Sequence, residues 1–260
     1  MIREEVDGVV FYRFERLAQV AGLNHAILTR IGGVSRAPFA TLNMGHTVGD
    51  DLAAVAENHR RALGILGVTP GEVISPHQVH GAHVSVVGRA QRGVLQPATD
   101  ALVTGEAGAP LLMRFADCIP ILFYDATRRV IGMAHAGWRG VAAGSAPAAV
   151  RAMWDQLGCD PADLWAGIGP GIGPCCYEVG EAVGATVAAA CPAGANILQR
   201  LDGRVYLDLP AAVEAQLRAA GVRWVERAGL CTACHVDEFF SHRAEHGRTG
   251  RFGIVMELRE

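Results

Sequence analysis

The stretch from Ala116 to Gly140 sets the tightest constraint on what this chain can fold into. It reads ADCIPILFYD, then ATRRV, then IGMAHAGWRG. Residues 119–124 form an unbroken apolar run and 130–134 a second, with the polar segment Asp125–Arg129 between them. Two short apolar runs around a polar connection predict a β-hairpin. With the turn centred between Ala126 and Thr127, Cys118 falls directly opposite His135. Opposed residues share a face, with Cβ atoms about 5 Å apart. A thiol and an imidazole then meet at the open end of the hairpin, as a shared metal site or a Cys/His nucleophile pair requires. A slip of one residue would put them on opposite faces. Taken singly, a cysteine or histidine at a strand end is as readily a packing residue. The pair gains weight from Asp117, Trp138 and Arg139, which crowd polar and aromatic groups around the same point.

A chain of 260 residues, 50% hydrophobic and 19% charged, is globular in composition and can bury a sizeable core. The net charge is −3, and all 23 basic residues are arginines spread without a stripe, which argues against a nucleic-acid partner. The opening segment MIREEVDGVVFYRFERL lacks the basic-then-apolar order of an export signal, and no run of about 18 apolar residues could span a membrane. The expectation is a cytoplasmic protein without a membrane partner. Seven cysteines in such a compartment are expected as reduced thiols.

Strands are expected over Val9–Phe14 and His25–Thr29, followed by the Gly-rich segment TRIGGVSRAPFATLNMGHTVGDD. That segment is long for a compact domain, and such loops are often functional, although an inert surface loop has the same look. A helix over about 52–66 follows, capped by Asp50 or Asp51. Residues 73–87 read as a strand interrupted by Pro76 and Gly81. They hold His77, His80 and His83, of which strand alternation lets at most one or two share a site. TDALVT leads toward the hairpin. Helices are predicted over about 142–157, 179–190 and 210–220, with strands at Arg204–Leu207, Val225–Gly229 and Phe252–Leu258. WAGIGPGIGPCCYEVG reads as a glycine-rich loop that matches no known phosphate-binding pattern. No repeat or linker interrupts the chain, so one mixed α/β domain spanning residues 1–260 is expected.

Cys231-Thr-Ala-Cys234-His235 has the form used for covalent haem attachment, but that chemistry belongs outside the cytoplasm. A structural zinc would need a second pair of ligands, and no second C-x-x-C provides one. At the hairpin, one more ligand beside Cys118 and His135 would make three protein ligands and one open position, the pattern of a catalytic zinc. Zinc so held acidifies a bound water toward neutral pH, as in enzymes that replace an amino group on a purine or pyrimidine. Copper is the less favoured metal, because a multicopper enzyme needs more histidines than these ten can arrange.

The segments TRIGGVS, LNMGHTVGDD, HQVHG, TDALVT, ADCIPILFYD, AHAGWRG, GIGPGIGPCCYEVG and FFSHR stand together in order. From about residue 9 to 257 the chain resembles the bacterial laccase-domain family, known also as multicopper polyphenol oxidase, peptidoglycan-editing factor or purine nucleoside phosphorylase-type. The resemblance implies an α+β fold, a single-domain α/β/β/α sandwich like that of a cysteine-hydrolase toxin. It implies a zinc site built from His80, Cys118 and His135, which are also the catalytic residues. It further implies phosphorolysis of adenosine, inosine, guanosine and methylthioadenosine, and deamination of adenosine. Purine nucleoside and phosphate are then the partners of a monomer or small homo-oligomer. Arginine forks suit phosphate, and Arg30, Arg139 and Arg243 lie in the family motifs, with Asn43 as a hydrogen-bonding companion. Two other activities come with the same resemblance, a hydrolase that edits peptidoglycan precursors and a copper polyphenol oxidase. The chain departs from the family pattern at Gly171, where a small side chain is usual, and in the second half of CTACH.

Overall fold

The computed structural model describes residues 1–260. A five-stranded sheet runs in the order Ile2–Val6, Val9–Arg13, Leu23–Leu28, Phe252–Leu258, Leu111–Phe115. A six-stranded sheet runs Trp224–Arg227, Trp165–Ile168, Ile119–Asp125, Val130–Ala136, Ala101–Thr104, Val84–Val86. Ile27, Met113, Phe252 and Ile254 of the first sheet share one core with Leu102, Leu122, Ile131 and Met133 of the second, so the sheets stack face to face. The alternate residues point outward. Ala26, Leu28 and Val255 pack on Ala62 and Leu63 of the Leu52–Gly64 helix. Ile121, Phe123 and Ala134 pack on Ala149 and Met153 of the Ser145–Leu157 helix and on Ala212 and Val213 of the Leu209–Ala219 helix. The result is the expected α/β/β/α order of layers. It also explains why the central strands are continuously apolar, since both of their faces are covered.

The hairpin forms, but with a register different from the expected one. Val130 pairs with Asp125 and Ala136 with Ile119, which leaves a four-residue connection of residues 126–129 and sets His135 opposite Pro120 rather than Cys118. The Asp125 carboxylate accepts hydrogen bonds from the N–H groups of Thr127 and Arg128 (2.8 and 2.9 Å), and Arg129 takes φ +53°, which closes this longer loop. Because partners shift by an even number of residues, the face is retained. Cys118, immediately before its strand, still lies on the face of His135.

Most predicted elements recur with end shifts of a few residues, and Arg204–Leu207 and Phe252–Leu258 keep their predicted bounds. The expected helix over 142–157 begins at Ser145 and is preceded by a short helix, Trp138–Ala142, the two separated where Gly144 adopts φ +77°. Trp165–Ile168, read above as the start of a glycine-rich loop, is a buried strand between Ile119–Asp125 and Trp224–Arg227. Its four residues are too few to show a period. The expected strand over residues 73–87 survives only as Ser75–Pro76 and Val84–Val86, so alternation cannot sort its histidines. No helix is long and apolar enough to cross a membrane.

Two buried histidines make the sandwich sensitive to acid. His25 accepts the Phe14 N–H at Nε2 (3.0 Å), and His59 donates from Nε2 to the Met44 carbonyl (3.0 Å). Burial pushes His25 down to about 3 and His59 down to about 4. Both values lie below the ordinary histidine range, so the unfolded chain takes up the proton first. The stability is therefore whole above about pH 6.5 and is lost as pH falls toward the folded-state values. Urea unfolding at pH 7 and pH 5 should show a loss of about 2 kcal/mol per histidine. H59Q should show a correspondingly smaller loss; equal acid sensitivity in both proteins would refute this assignment.

Candidate metal centre and active cavity

The site grows from the open end of the hairpin, at the rim between the two sheets. His135 is next to last in its strand, and its neighbour across the ladder, just before the Ala101–Thr104 strand, is Asp100. The His135 N–H donates to the Asp100 carbonyl (2.8 Å), and the ring Nδ1–H donates to the Asp100 carboxylate (2.9 Å). The same carboxylate accepts the N–H groups of Val79 (3.2 Å), His80 (3.0 Å) and Gly81 (2.7 Å). These bonds hold the turn in which His80 takes φ +63°. One buried acid thus positions both imidazoles. Burial alone would raise its pKa, yet the hydrogen bonds from His135 and Gly81 outweigh burial and hold the carboxyl below its ordinary value.

With Nδ1 committed to Asp100, His135 presents Nε2 to the site. The ligand atoms of His80, Cys118 and His135 all lie within 4.8 Å of one another, and the two rings stand edge to face with centroids 4.8 Å apart. Burial pushes the Cys118 thiol up, but the charge of His135 and hydrogen bonds from His135 and His80 reverse this and bring it down to about 6. His135 rises to about 9, because the Cys118 thiolate and Asp100 overcome the cost of its burial. Without a metal the pair is therefore a thiolate beside an imidazolium, and a cation bound between them would take the place of the His135 Nε2 proton. Gly137 completes the cradle: a Cβ there would come within 2.8 Å of Cys118 Sγ and 3.1 Å of the His80 ring. Cys118 itself is aimed by Asp117, which takes φ +80° and whose carboxylate accepts Thr232 Oγ1–H (2.7 Å) and the Arg243 N–H (2.6 Å).

A cavity of about 870 Å³ opens over these three residues. Four arginines line it, Arg114, Arg139, Arg243 and Arg251, and none is paired with a carboxylate side chain. Arg114 is anchored by donating Nε–H to the Met44 carbonyl (2.8 Å), and burial pushes it down to about 10. Arg251 donates to the Thr249 and Gly250 carbonyls, and burial lowers it as well. Arg243 donates to the Glu178 carbonyl and lies 5.0 Å over the Tyr177 ring, and Arg139 lies 4.4 Å over Trp138. Unpaired guanidinium groups around one cavity make it a place for an anion.

Of the residues singled out from the sequence, His80, Cys118, His135, Arg139 and Arg243 meet here, and His77 lies on the cavity wall. Arg30 and Asn43 do not reach the cavity. The Arg30 guanidinium donates to the Ala40 and Val236 carbonyls, pairs with Glu245 (3.1 Å) and packs over Phe240. Asn43 is fully buried, where it accepts from the N–H groups of Gly45 and Arg251 and donates to Asp50. Sequence reasoning missed Asp100, Arg114 and Arg251. Each had a signal available, because a charged residue within or beside an apolar strand seldom goes there without a partner or a task.

The donor set suits a divalent metal of the zinc class, with one thiolate, two neutral imidazoles, an outer carboxylate on His135 and an open side toward the cavity. The sequence model of the family described as multi-copper polyphenol oxidoreductase laccase matches residues 24–259. The chain belongs to this family. It is 39% identical over 251 residues to a protein of Geobacillus stearothermophilus named purine nucleoside phosphorylase YlmD, covering 92% of each chain. A Streptomyces coelicolor protein named purine nucleoside phosphorylase SCO2081 is 43% identical, with 89% of this chain and 94% of that one covered. The crystal structure of the Geobacillus YlmD superposes with a TM-score of 0.93 at 36% identity over 99% of this chain and 98% of that one. That of the Neisseria meningitidis protein NMB0706 gives 0.85 at 30% identity, over 97% and 100%. The laccase-like family thus accounts for the whole sandwich.

Asp100 is the residue on which metal affinity should turn. D100N leaves an oxygen for the turn N–H groups but exchanges the carboxylate that steadies His135, and zinc affinity measured against a competing chelator should fall by roughly 10–100-fold. G137A, which crowds the sulfur directly, should lower it as well. Unchanged affinity in both variants would remove these two residues from the metal site.

Proposed function

We propose that this protein is a zinc-dependent purine nucleoside phosphorylase that also deaminates adenosine, with His80, Cys118 and His135 as its metal ligands. The observation that carries the reading is the single cavity in which these three residues face four arginines lacking carboxylate partners. The cavity is large enough for a nucleoside and phosphate together. The names of the relatives in Geobacillus and Streptomyces support the same reaction.

In phosphorolysis a phosphate oxygen bonds to ribose C1′ as the bond from C1′ to the purine nitrogen breaks. The electron pair departs with the base, which takes up a proton. The residues of this chain supply what each part needs. Arg139 and Arg243 neutralise and orient the phosphate. Trp138 and Tyr177 offer faces against which the purine packs. His46, His77 and His242 line the same cavity as candidates to provide the proton. Zinc, when bound, supplies Lewis acidity and lowers the pKa of a coordinated water, the chemistry on which deamination draws. Asp100 keeps His135 in the tautomer that binds metal, and Gly137 keeps the space for it. One thiolate and two imidazoles also suit a single copper. A polyphenol oxidase of the multicopper kind needs further histidine clusters, and the remaining histidines join no group of metal-binding side chains.

The test is chromatographic. Adenosine incubated with the zinc-loaded protein should yield adenine only when phosphate is present, and inosine with or without it. Both products should vanish with C118A. R243A should raise the KM for phosphate by about tenfold or more, the worth of one charged hydrogen bond. R30A should leave that KM unchanged while lowering the melting temperature. Failure of the zinc-loaded wild-type protein to consume any purine nucleoside would overturn the proposal.

A further inference from the structure

Four of the seven cysteines take no part in the site above, yet they come together. Cys175 and Cys176 lie in the loop after the Trp165–Ile168 strand, and Cys231 and Cys234 lie in the C-x-x-C turn more than fifty residues later. Their four sulfurs all lie within 4.8 Å of one another, with Cys234 Sγ 3.4 Å from both Cys175 Sγ and Cys176 Sγ. The C-x-x-C turn thus has the partner pair that sequence spacing could not reveal, because Cys175 and Cys176 are adjacent rather than separated by two residues. His235 stays outside the group.

We propose that Cys175, Cys176, Cys231 and Cys234 form a second, structural zinc site that clips the two loops behind the active cavity. Tetrahedral zinc with bonds of about 2.3 Å to sulfur sets its ligands about 3.8 Å apart, which is the spacing these sulfurs nearly have already. A disulfide draws two sulfurs to about 2.05 Å and leaves the other two unexplained. Here one sulfur is equidistant from two others, as in a shared centre and not as in a pair. The Cys231–Cys234 turn is shaped for thiolates. The N–H groups of Cys234 and His235 donate to the Cys231 carbonyl, and the Gly173 N–H donates to Cys231 Sγ (3.2 Å).

The position gives the clip a purpose. Both loops lack regular structure, and one isolated backbone bridge, Gly171 with Cys231, joins them. The Gly171 N–H donates to Leu230 and the Thr232 N–H to Gly171. A Cβ at Gly171 would meet Ile119 Cδ1 at 2.4 Å and the Asp117 carbonyl at 3.0 Å, so glycine lets the loop pass this close. Both loops end on Asp117, which holds Thr232 by its carboxylate and the Ile172 N–H by its carbonyl (2.8 Å). Ile172 and Tyr177 are cavity wall. The clip therefore fixes one wall of the cavity and the residue that aims Cys118, whatever reaction takes place there.

Metal content decides the matter. The protein, purified under reducing conditions without chelator, should carry about two zinc ions per chain by elemental mass spectrometry. C118A should carry about one, C175S/C234S about one, and the triple variant none. A zinc content unchanged by C175S/C234S would overturn the proposal, as would a disulfide among the four cysteines found by alkylation and mass analysis of the purified wild-type protein. Should the serine variant fail to fold, cobalt titration of chelator-treated C118A replaces it. Charge-transfer bands from thiolate to cobalt, with the visible bands of a tetrahedral ion saturating at about one equivalent, support the site. Their absence overturns it.

Discussion

The architecture of the site depends on the Asp100 carboxylate. Its two oxygens accept four N–H groups, three from the Val79–Gly81 turn and one from the His135 ring. Without that anion the turn would lose the acceptor of three of its N–H groups, and His80 would have no reason to hold a left-handed conformation. Asp100 is itself tied to the fold, because its carbonyl accepts the backbone N–H of His135 at the edge of the six-stranded sheet. The sheet therefore sets the place of the acid, the acid sets both imidazoles, and the hairpin delivers the thiolate between them.

The stacking of two sheets puts this arrangement at a rim instead of in a core. The inner faces meet over Ile27, Ile254, Leu122 and Met133, and His135 lies on the same face of its strand at the end where that packing stops. Phe115, its ring 5.5 Å from that of His135, closes the floor. Arg114 comes from the Leu111–Phe115 strand of the five-stranded sheet, Arg139 from the Trp138–Ala142 helix after the hairpin, and Arg243 and Arg251 from the approach to the last strand. The burial cost that lowers the pKa of Arg114 and Arg251 is offset by the Met44, Thr249 and Gly250 carbonyls to which they donate.

Two kinds of thiol are separated by their surroundings. Cys118 is made acidic by imidazoles and lies beside Gly137 at the cavity floor, whereas Cys159 is pushed up to about 12 by burial and the nearby Asp125 carboxylate. The first belongs to reactivity or metal binding and the second to packing. The four clustered cysteines form a third group, held near the surface by loop backbone rather than by the sandwich.

The sequence by itself determined the mixed α/β class, the central hairpin and the parity that sets Cys118 and His135 on one face. These follow from apolar runs and from the two-residue period of a strand, which are local properties of the chain. It also marked His80, Arg139 and Arg243 through the family motifs. The hairpin register was settled within its own loop, where the Asp125 carboxylate accepts the Thr127 and Arg128 N–H groups. Only the tertiary structure turned Arg30 and Asn43 away from the cavity, brought in Asp100, Arg114 and Arg251, and joined Cys175 and Cys176 to Cys231 and Cys234. Each of those outcomes depends on which segments the two stacked sheets bring side by side, and no periodicity within a single segment encodes that.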